Sequence, residues 1–305
     1  SLSRRSIGRF IGKIETPFLA FKANELLLKH GRTLIIEKPG VLFFSLTECQ
    51  LQFNDPMAAF NVSNPLVIQQ SADGYRYSIE PFLLVNFASL LAGSRLLDVG
   101  TGCGVIPLLA ITQVKLKEIV AIEIQKSLYD LAINNISKNG VSDRVSLIHG
   151  NFIDSALDAE RSLFDTIISN PPYRKLNTGR MNPNPEKAVA RHEISMDLNS
   201  LLTKTSSLLK HGGTFIMAYP PLRLKEAQEK LCSHKLFPSR LRFIHGSRKA
   251  DARIFLIESV KNQQAECVIE PPLFVYNADG SYSNEMEKIY ASFNYSSRAH
   301  HIKEE

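Results

Sequence analysis

From Glu80 onward the chain alternates short apolar runs of strand length with segments of helical length, and the runs stay apolar on both alternating positions. A strand that is apolar throughout must be covered on both faces, so the pattern requires a mostly parallel sheet between two layers of helices. Strands are predicted at Arg95–Val99, Ile119–Ile124, Val145–His149, Phe164–Ser169 and Thr214–Ala218, with helices at Val105–Val114, Ser127–Lys138, Leu198–Leu209 and Leu224–Ser233. A further helix begins at Glu80, with Pro81 in its first turn and Gly93 as its stop. The last two strands, Leu241–His245 and Arg253–Ser259, are separated only by Gly246–Ala252, too short for a crossover, and should form an antiparallel hairpin at one edge. The expected fold is therefore α/β, a Rossmann-like seven-stranded, mostly parallel sheet with an antiparallel edge hairpin.

The flanks read differently. Residues 1–64 carry no clear period and form an amino-terminal leader or arm; residues 65–260 form the core; residues 261–305, with Pro271-Pro272, a turn at Asp279-Gly280 and a helix near Asn284–Tyr290, form an extension closing on it. The formal net charge is +6, and residues 1–60 alone hold eight basic against five acidic residues. Such an excess suits a polyanionic partner. No apolar run approaches the ~20 residues that span a bilayer, and no secretory-signal pattern opens the sequence. Cys49, Cys103, Cys232 and Cys267 lie far apart without a Cys-x-x-Cys pair, which argues against a zinc knuckle or disulfide framework and for a reducing cytoplasm. No metal and no obligate protein partner is called for.

The first strand runs into a turn, Asp98-Val99-Gly100-Thr101-Gly102-Cys103-Gly104, that opens a helix. Ligands bind at the carboxyl ends of such strands. The spacing is Gly-x-Gly-x-Gly, not the Gly-x-Gly-x-x-Gly that cradles a pyrophosphate, so a smaller anion such as an amino-acid carboxylate suits the helix start. Glu123 closes the second strand and can accept from both hydroxyls of a ribose. At the third strand end, Asn151 offers an amide to an adenine edge and Phe152 an aromatic face beside it. Together these ends suit an amino-acid-bearing nucleoside; a nicotinamide or flavin domain, or a turn without a ligand, is the alternative.

The fourth strand ends in Asn170-Pro171-Pro172-Tyr173. Consecutive prolines stiffen the turn and leave its carbonyls free to accept. The Asn170 side-chain oxygen and the Pro171 carbonyl can take the two N–H groups of a planar exocyclic amine while Tyr173 stacks on its plane. Holding both protons directs the nitrogen lone pair, and transfer then follows from positioning and electrostatics.

These motifs resemble the class I S-adenosylmethionine-dependent methyltransferases. The resemblance implies S-adenosylmethionine as cofactor, with Asp98, Gly100, Gly102 and Gly104 around its methionine end, Glu123 on the ribose and Asn151 where the family more often has Asp. Asn-Pro-Pro-Tyr marks methyltransferases of exocyclic or amide nitrogens: adenine N6, guanine N2, or the glutamine amide of release factors. Asp73–Glu80, the loop Arg174–Arg191 and the closing segment Pro271–Gly280 make the chain similar to the bacterial tRNA1(Val) adenine-N6 methyltransferase family over about Pro65 to Tyr290. That likeness implies tRNA, through its anticodon stem-loop, as partner. A protein-glutamine methyltransferase, a methyltransferase of another rRNA or DNA amine, and a non-catalytic RNA-binding module are the alternatives. In the loop, Arg174, Lys175, Arg180 and Arg191 suit a phosphate backbone, and Arg240, Arg248 and Lys249 form a second basic set around the hairpin. Tyr75 either covers the cofactor or packs internally.

Overall fold

The computed structural model describes residues 66–70, 78–157, 163–171, 197–264 and 266–293. The leader, Tyr75, and the loop from Arg174 to Arg191 lie outside the described residues. The elements are α1 (Glu80–Phe87), β1 (Arg95–Val99), α2 (Val105–Gln113), β2 (Glu118–Glu123), α3 (Lys126–Lys138), β3 (Val145–His149), β4 (Phe164–Ser169), α4 (Leu198–Leu208), β5 (Leu209–Tyr219), α5 (Leu224–Ser233), β6 (Leu236–His245), β7 (Ala252–Lys261), β8 (Val268–Ile269), β9 (Leu273–Phe274) and α6 (Asn284–Ser292).

The sheet order is β3-β2-β1-β4-β5-β7-β6, with β8 and β9 both added to the outer side of β6. β1 to β5 are parallel, and β7 runs antiparallel between β5 and β6. The sheet thus has nine strands, not seven. The two additions are two-residue pieces of one interrupted edge: Val268-Ile269 pair with Arg240-Leu241, and Leu273-Phe274 with Ile244-His245. Between them Pro271-Pro272 cannot donate to a ladder, so the edge is broken where a long strand would be open to further pairing.

Each central strand divides its side chains between two cores, as the period of two requires. Leu96, Ile119, Ala121, Ile168, Ile216 and Ala218 enter one, with α1, α2 and α6. Leu97, Val120, Ile122, Ile167, Phe215 and Met217 enter the other, with α4 and α5. Helix α6 brings Met286, Ile289, Tyr290 and Phe293, spaced by three and four residues, into the first core. There Phe82 of α1 meets Tyr290 and Phe293 edge to face, at 5.0 Å and 5.8 Å between ring centroids.

Helix α1 ends at Phe87, well before Gly93, with Ala88 extended and Leu91 70% exposed. Its last carbonyl, on Phe87, accepts from the Arg240 guanidinium. Arg240 also forms a bidentate pair with Glu258 (3.0 and 2.9 Å), bonds Glu270 at 2.9 Å and Ser89 Oγ at 3.1 Å, and lies 4.3 Å over the Phe87 ring. Read from sequence as an RNA-contacting cation, Arg240 instead has its donors spent inside the fold, and these acidic partners raise its pKa further. Arg242 does related work: it donates to the Pro271 carbonyl at 2.9 Å and to Glu285 at 2.6 Å, fastening the closing segment to β6.

Candidate active site

Register assembles the site. In the β1/β4 ladder Val99 stands beside Ser169, so the next residues, Gly100 and Asn170, leave adjacent strands side by side. The β1/β2 ladder pairs Val99 with Ile122, which brings Glu123 to the same edge, and the β2/β3 ladder pairs Glu123 with His149 just before Gly150-Asn151. Cross-bonds hold these ends together. Gly100 and Thr101 donate their N–H groups to the Ile122 carbonyl at 3.0 Å, Gly150 donates to the Glu123 carbonyl at 2.9 Å, and Ser169 Oγ donates to the Val99 carbonyl at 3.0 Å.

The turn itself needs its glycines for two different reasons. Gly104 has φ +84° and an added Cβ would sit 3.4 Å from the Cα and Cβ of Ala132, so it permits α2 to start against α3. Gly100 and Gly102 also have positive φ, but a Cβ there would meet no atom within 4 Å. Their bareness keeps open space, which is what a bound group beside the backbone requires.

The polar chemistry points the same way. Asp98 is fully buried, and neither carboxylate oxygen has a hydrogen-bond partner. Burial pushes its pKa up to about 7, helped by the Glu123 charge, while the nearby Thr101 hydroxyl opposes the rise without meeting hydrogen-bond geometry. Thr101 Oγ1 and Asn170 Oδ1 are likewise buried and unpartnered. An orphaned buried oxygen costs about 1–3 kcal/mol, and four of them converge on the ends of β1 and β4. That cluster fits a ligand that brings its own donors.

Glu123, 5% exposed, accepts from the N–H of Gly102 at 2.8 Å and of Gln125 at 2.9 Å; burial nevertheless raises its pKa. Asn151 donates to Asp154 Oδ2 at 2.7 Å and accepts from the Ile153 N–H at 3.1 Å. Phe152 is buried in the α4 core, with the Lys204 ammonium 5.4 Å from its ring, yet it also lines a small cleft with Gly100, Ile122, Ile124 and Asn151. Asn170 and Pro171 are described; Pro172, Tyr173, Arg174, Lys175, Arg180 and Arg191 lie outside the described residues. Among the described residues no cluster of three His, Cys, Asp or Glu side chains could hold a metal, and no helix is long and apolar enough to cross a membrane.

Sequence reasoning missed a pair of asparagines, Asn135 on α3 and Asn139 at its carboxyl cap. Asn135 accepts from the Gln69 N–H at 2.8 Å and donates to the carbonyls of Gln69 and Cys103, both at 2.9 Å. Asn139 accepts from the Val67 N–H at 3.0 Å and donates to its carbonyl at 2.7 Å. Four helical residues advance about 6 Å, and two extended residues about 6.6 Å, so one helix face grips alternate residues of the segment before Tyr75. The detectable signal was Asn135 on an otherwise apolar stripe with Leu128, Ala132 and Ile136. Replacing Asn135 with Ala would remove the partner of the part-buried Gln69 N–H and carbonyl and of the buried Cys103 carbonyl. We expect a loss of about 2–3 kcal/mol in denaturant unfolding, together with weaker cofactor binding in calorimetry, because the Cys103 carbonyl belongs to the glycine turn.

Comparison with known proteins agrees with this geometry. A family model described as a methyltransferase domain matches residues 90–268. The tRNA1(Val) (adenine(37)-N6)-methyltransferase of Shewanella woodyi is 30% identical over 227 residues, covering 72% of this chain and 92% of that protein. The protein of the same name from a Flavobacteriaceae bacterium is 27% identical, covering 74% and 94%. A crystal structure from Agrobacterium tumefaciens, described as a predicted O-methyltransferase, superposes with a TM-score of 0.56 at 16% identity, over 71% of this chain and 97% of that one, a likeness of fold alone. The glycine turn and its orphaned oxygens thus stand in a chain that belongs to the methyltransferase domain family and that is an S-adenosylmethionine-dependent methyltransferase.

Proposed function

We propose that the chain methylates the exocyclic N6 of an adenine in tRNA, at the adenosine immediately 3′ of the anticodon of a valine tRNA. The observation that carries the reading is the juxtaposition of Gly100 and Asn170, with the Asn170 oxygen buried and unpartnered. An amide oxygen held that way is an acceptor waiting for an N–H group. The names of the relatives supply the base and the RNA class.

In this reading Asp98, Gly100, Gly102 and Gly104 hold the methionine end of S-adenosylmethionine, Glu123 the ribose, and Asn151 and Phe152 the adenine, with Tyr75 over it. The bound cofactor supplies a methyl group made electrophilic by its sulfonium. Asn170 Oδ1 and the Pro171 carbonyl accept the two N6 hydrogens, and Tyr173 stacks on the target ring after it leaves the anticodon-loop stack. With both N6 hydrogens held by Asn170 and Pro171, the nitrogen lone pair would be directed at that methyl, which the cofactor would give up with its sulfur as leaving group, and the extra proton on nitrogen would pass to solvent. Arg174, Lys175, Arg180 and Arg191 follow this turn in the sequence and would position the phosphate backbone. A cytoplasmic location goes with a tRNA substrate.

The test is product identification. The protein is incubated with methyl-labelled cofactor and an unmodified valine tRNA transcript, or with release factor, and the products are digested. Label in N6-methyladenosine within the anticodon-loop fragment is expected. Label in protein, or in another nucleoside, would overturn the reading.

A further inference from the structure

We infer that a cleft between the β6–β7 turn and the closing segment receives a nucleotide of the RNA that flanks the methylated adenine; this rests on the RNA reading above. The cleft encloses about 730 Å³, within the range of pockets that hold small organic ligands. Its walls are Arg248 and Lys249 from the hairpin turn, Phe274 and Tyr276 from β9 and the residues after it, and Ser283 and Asn284 at the start of α6.

The lining has the chemistry of a nucleotide. Arg248 and Lys249 are exposed and form no ion pair among the described residues. The Arg248 guanidinium lies 5.3 Å from the Phe274 ring centroid, and His245 meets the same ring at 5.3 Å. Guanidinium and aromatic planes are the surfaces on which unstacked bases pack. Of the acids nearby, Glu285 bonds Arg242 at 2.6 Å and Asp279 accepts from the Ser281 N–H at 2.9 Å and its hydroxyl at 2.6 Å, while Asp251 stands exposed two residues from Lys249. The start of α6 is capped by Ser283 and carries Glu285 and Glu287 in its first turn, which offset the positive end of the helix. Two cations beside an aromatic floor therefore form one wall of the site.

Topology sets its place. The end of β4 that carries Asn170, the end of β5, the start of β7, the end of β6 and the end of β9 share one edge of the sheet. Four strand spacings separate β4 from β9, roughly 19 Å at the usual interval. A chain presenting one base at Asn170 would cross this cleft a few nucleotides away. The ion pairs Arg240–Glu270 and Arg242–Glu285 hold the closing segment in place, so the cleft is formed before RNA arrives.

The test uses the full chain with Arg248→Ala and Lys249→Ala combined. Both residues are exposed, so folding should be retained, and an unchanged affinity for S-adenosylmethionine in calorimetry checks it. Affinity for the unmodified valine tRNA transcript is expected to fall about tenfold or more, and the slope of log affinity against log salt to flatten by about 1–2, as for the loss of one or two phosphate contacts. Ultraviolet crosslinking of wild-type complex should place an RNA adduct on the peptide containing Phe274 and Tyr276. If wild-type protein methylates this tRNA but the double variant keeps wild-type affinity and salt slope, the cleft assignment is overturned alone. If wild-type protein neither binds nor methylates any RNA, the reading on which it rests fails with it.

Discussion

Replacing Asn170 with alanine should lower the rate of methyl transfer by about 10²–10³-fold, the loss typical of removing one preorganised hydrogen-bonding group from a reacting centre, while cofactor affinity stays unchanged. The separation follows from geometry. Asn170 sits at the end of β4, whereas the open glycine turn, Asp98 and Glu123 sit at the ends of β1 and β2. Its side-chain oxygen has no partner to lose, so the folded protein should be no less stable in denaturant; removing an unsatisfied buried oxygen is neutral or favourable. Single-turnover transfer of labelled methyl measures the first quantity and calorimetry the second. Parallel loss of turnover and cofactor affinity would sink the assigned role, because it would make Asn170 part of the cofactor cradle.

The second large effect concerns Asp98. Its carboxyl titrates near 7 in the ligand-free fold, against 3.8 for the ordinary group, chiefly because burial disfavours the anion. Between those values the folded protein retains a proton that the unfolded chain has released. The ligand-free protein is therefore helped below pH 4 and loses stability as pH rises toward 7, by about 4 kcal/mol in all. Asp98→Asn removes that slope. The variant should match wild type at pH 4 and exceed it by up to about 4 kcal/mol at pH 8 in denaturant unfolding. Cofactor binding should move oppositely: the variant binds more weakly, and wild-type affinity increases as pH rises through 7, since an ionised Asp98 is the form that attracts a ligand ammonium. A wild-type stability difference between pH 4 and pH 8 that Asp98→Asn leaves unaltered would show that the buried carboxyl is not its source.

The two effects together describe a site that is costly without its ligand. Four buried oxygens without partners at Asp98, Thr101 and Asn170 weaken the fold, and in the proposed reading the same groups receive the cofactor and the target amine. Cofactor present in excess over its dissociation constant should accordingly stabilise the protein by mass action.

Much of this was legible in the sequence because it is local. Apolar runs of five or six residues, divided by helical segments, require a covered parallel sheet. Gly100 to Gly104 and Asn170-Pro171 carry their backbone chemistry within a few residues of chain. Boundaries failed where a distant group decides them. Helix α1 stops at Phe87, not at Gly93, and its final carbonyl is taken by Arg240, more than 150 residues away in sequence. Strands β8 and β9 were missed because two residues make no period; only the exposed side of β6 gives them partners.

Charge was the least legible property. Composition shows a basic excess but not which cations are free, since pairing depends on which acids the fold brings near. Arg240 and Arg248 look alike on the hairpin, yet Arg240 is held by Glu258 and Glu270, while Arg248 lies over Phe274 at an open cleft. By itself the sequence determined the α/β architecture, the glycine turn and the Asn170-Pro171 turn after β4, each set by backbone conformation over a short span. Tertiary structure decided that Gly100 and Asn170 are neighbours, that Asn135 braces the turn and that Arg240 binds the fold together, because register and burial arise only when distant strands pair.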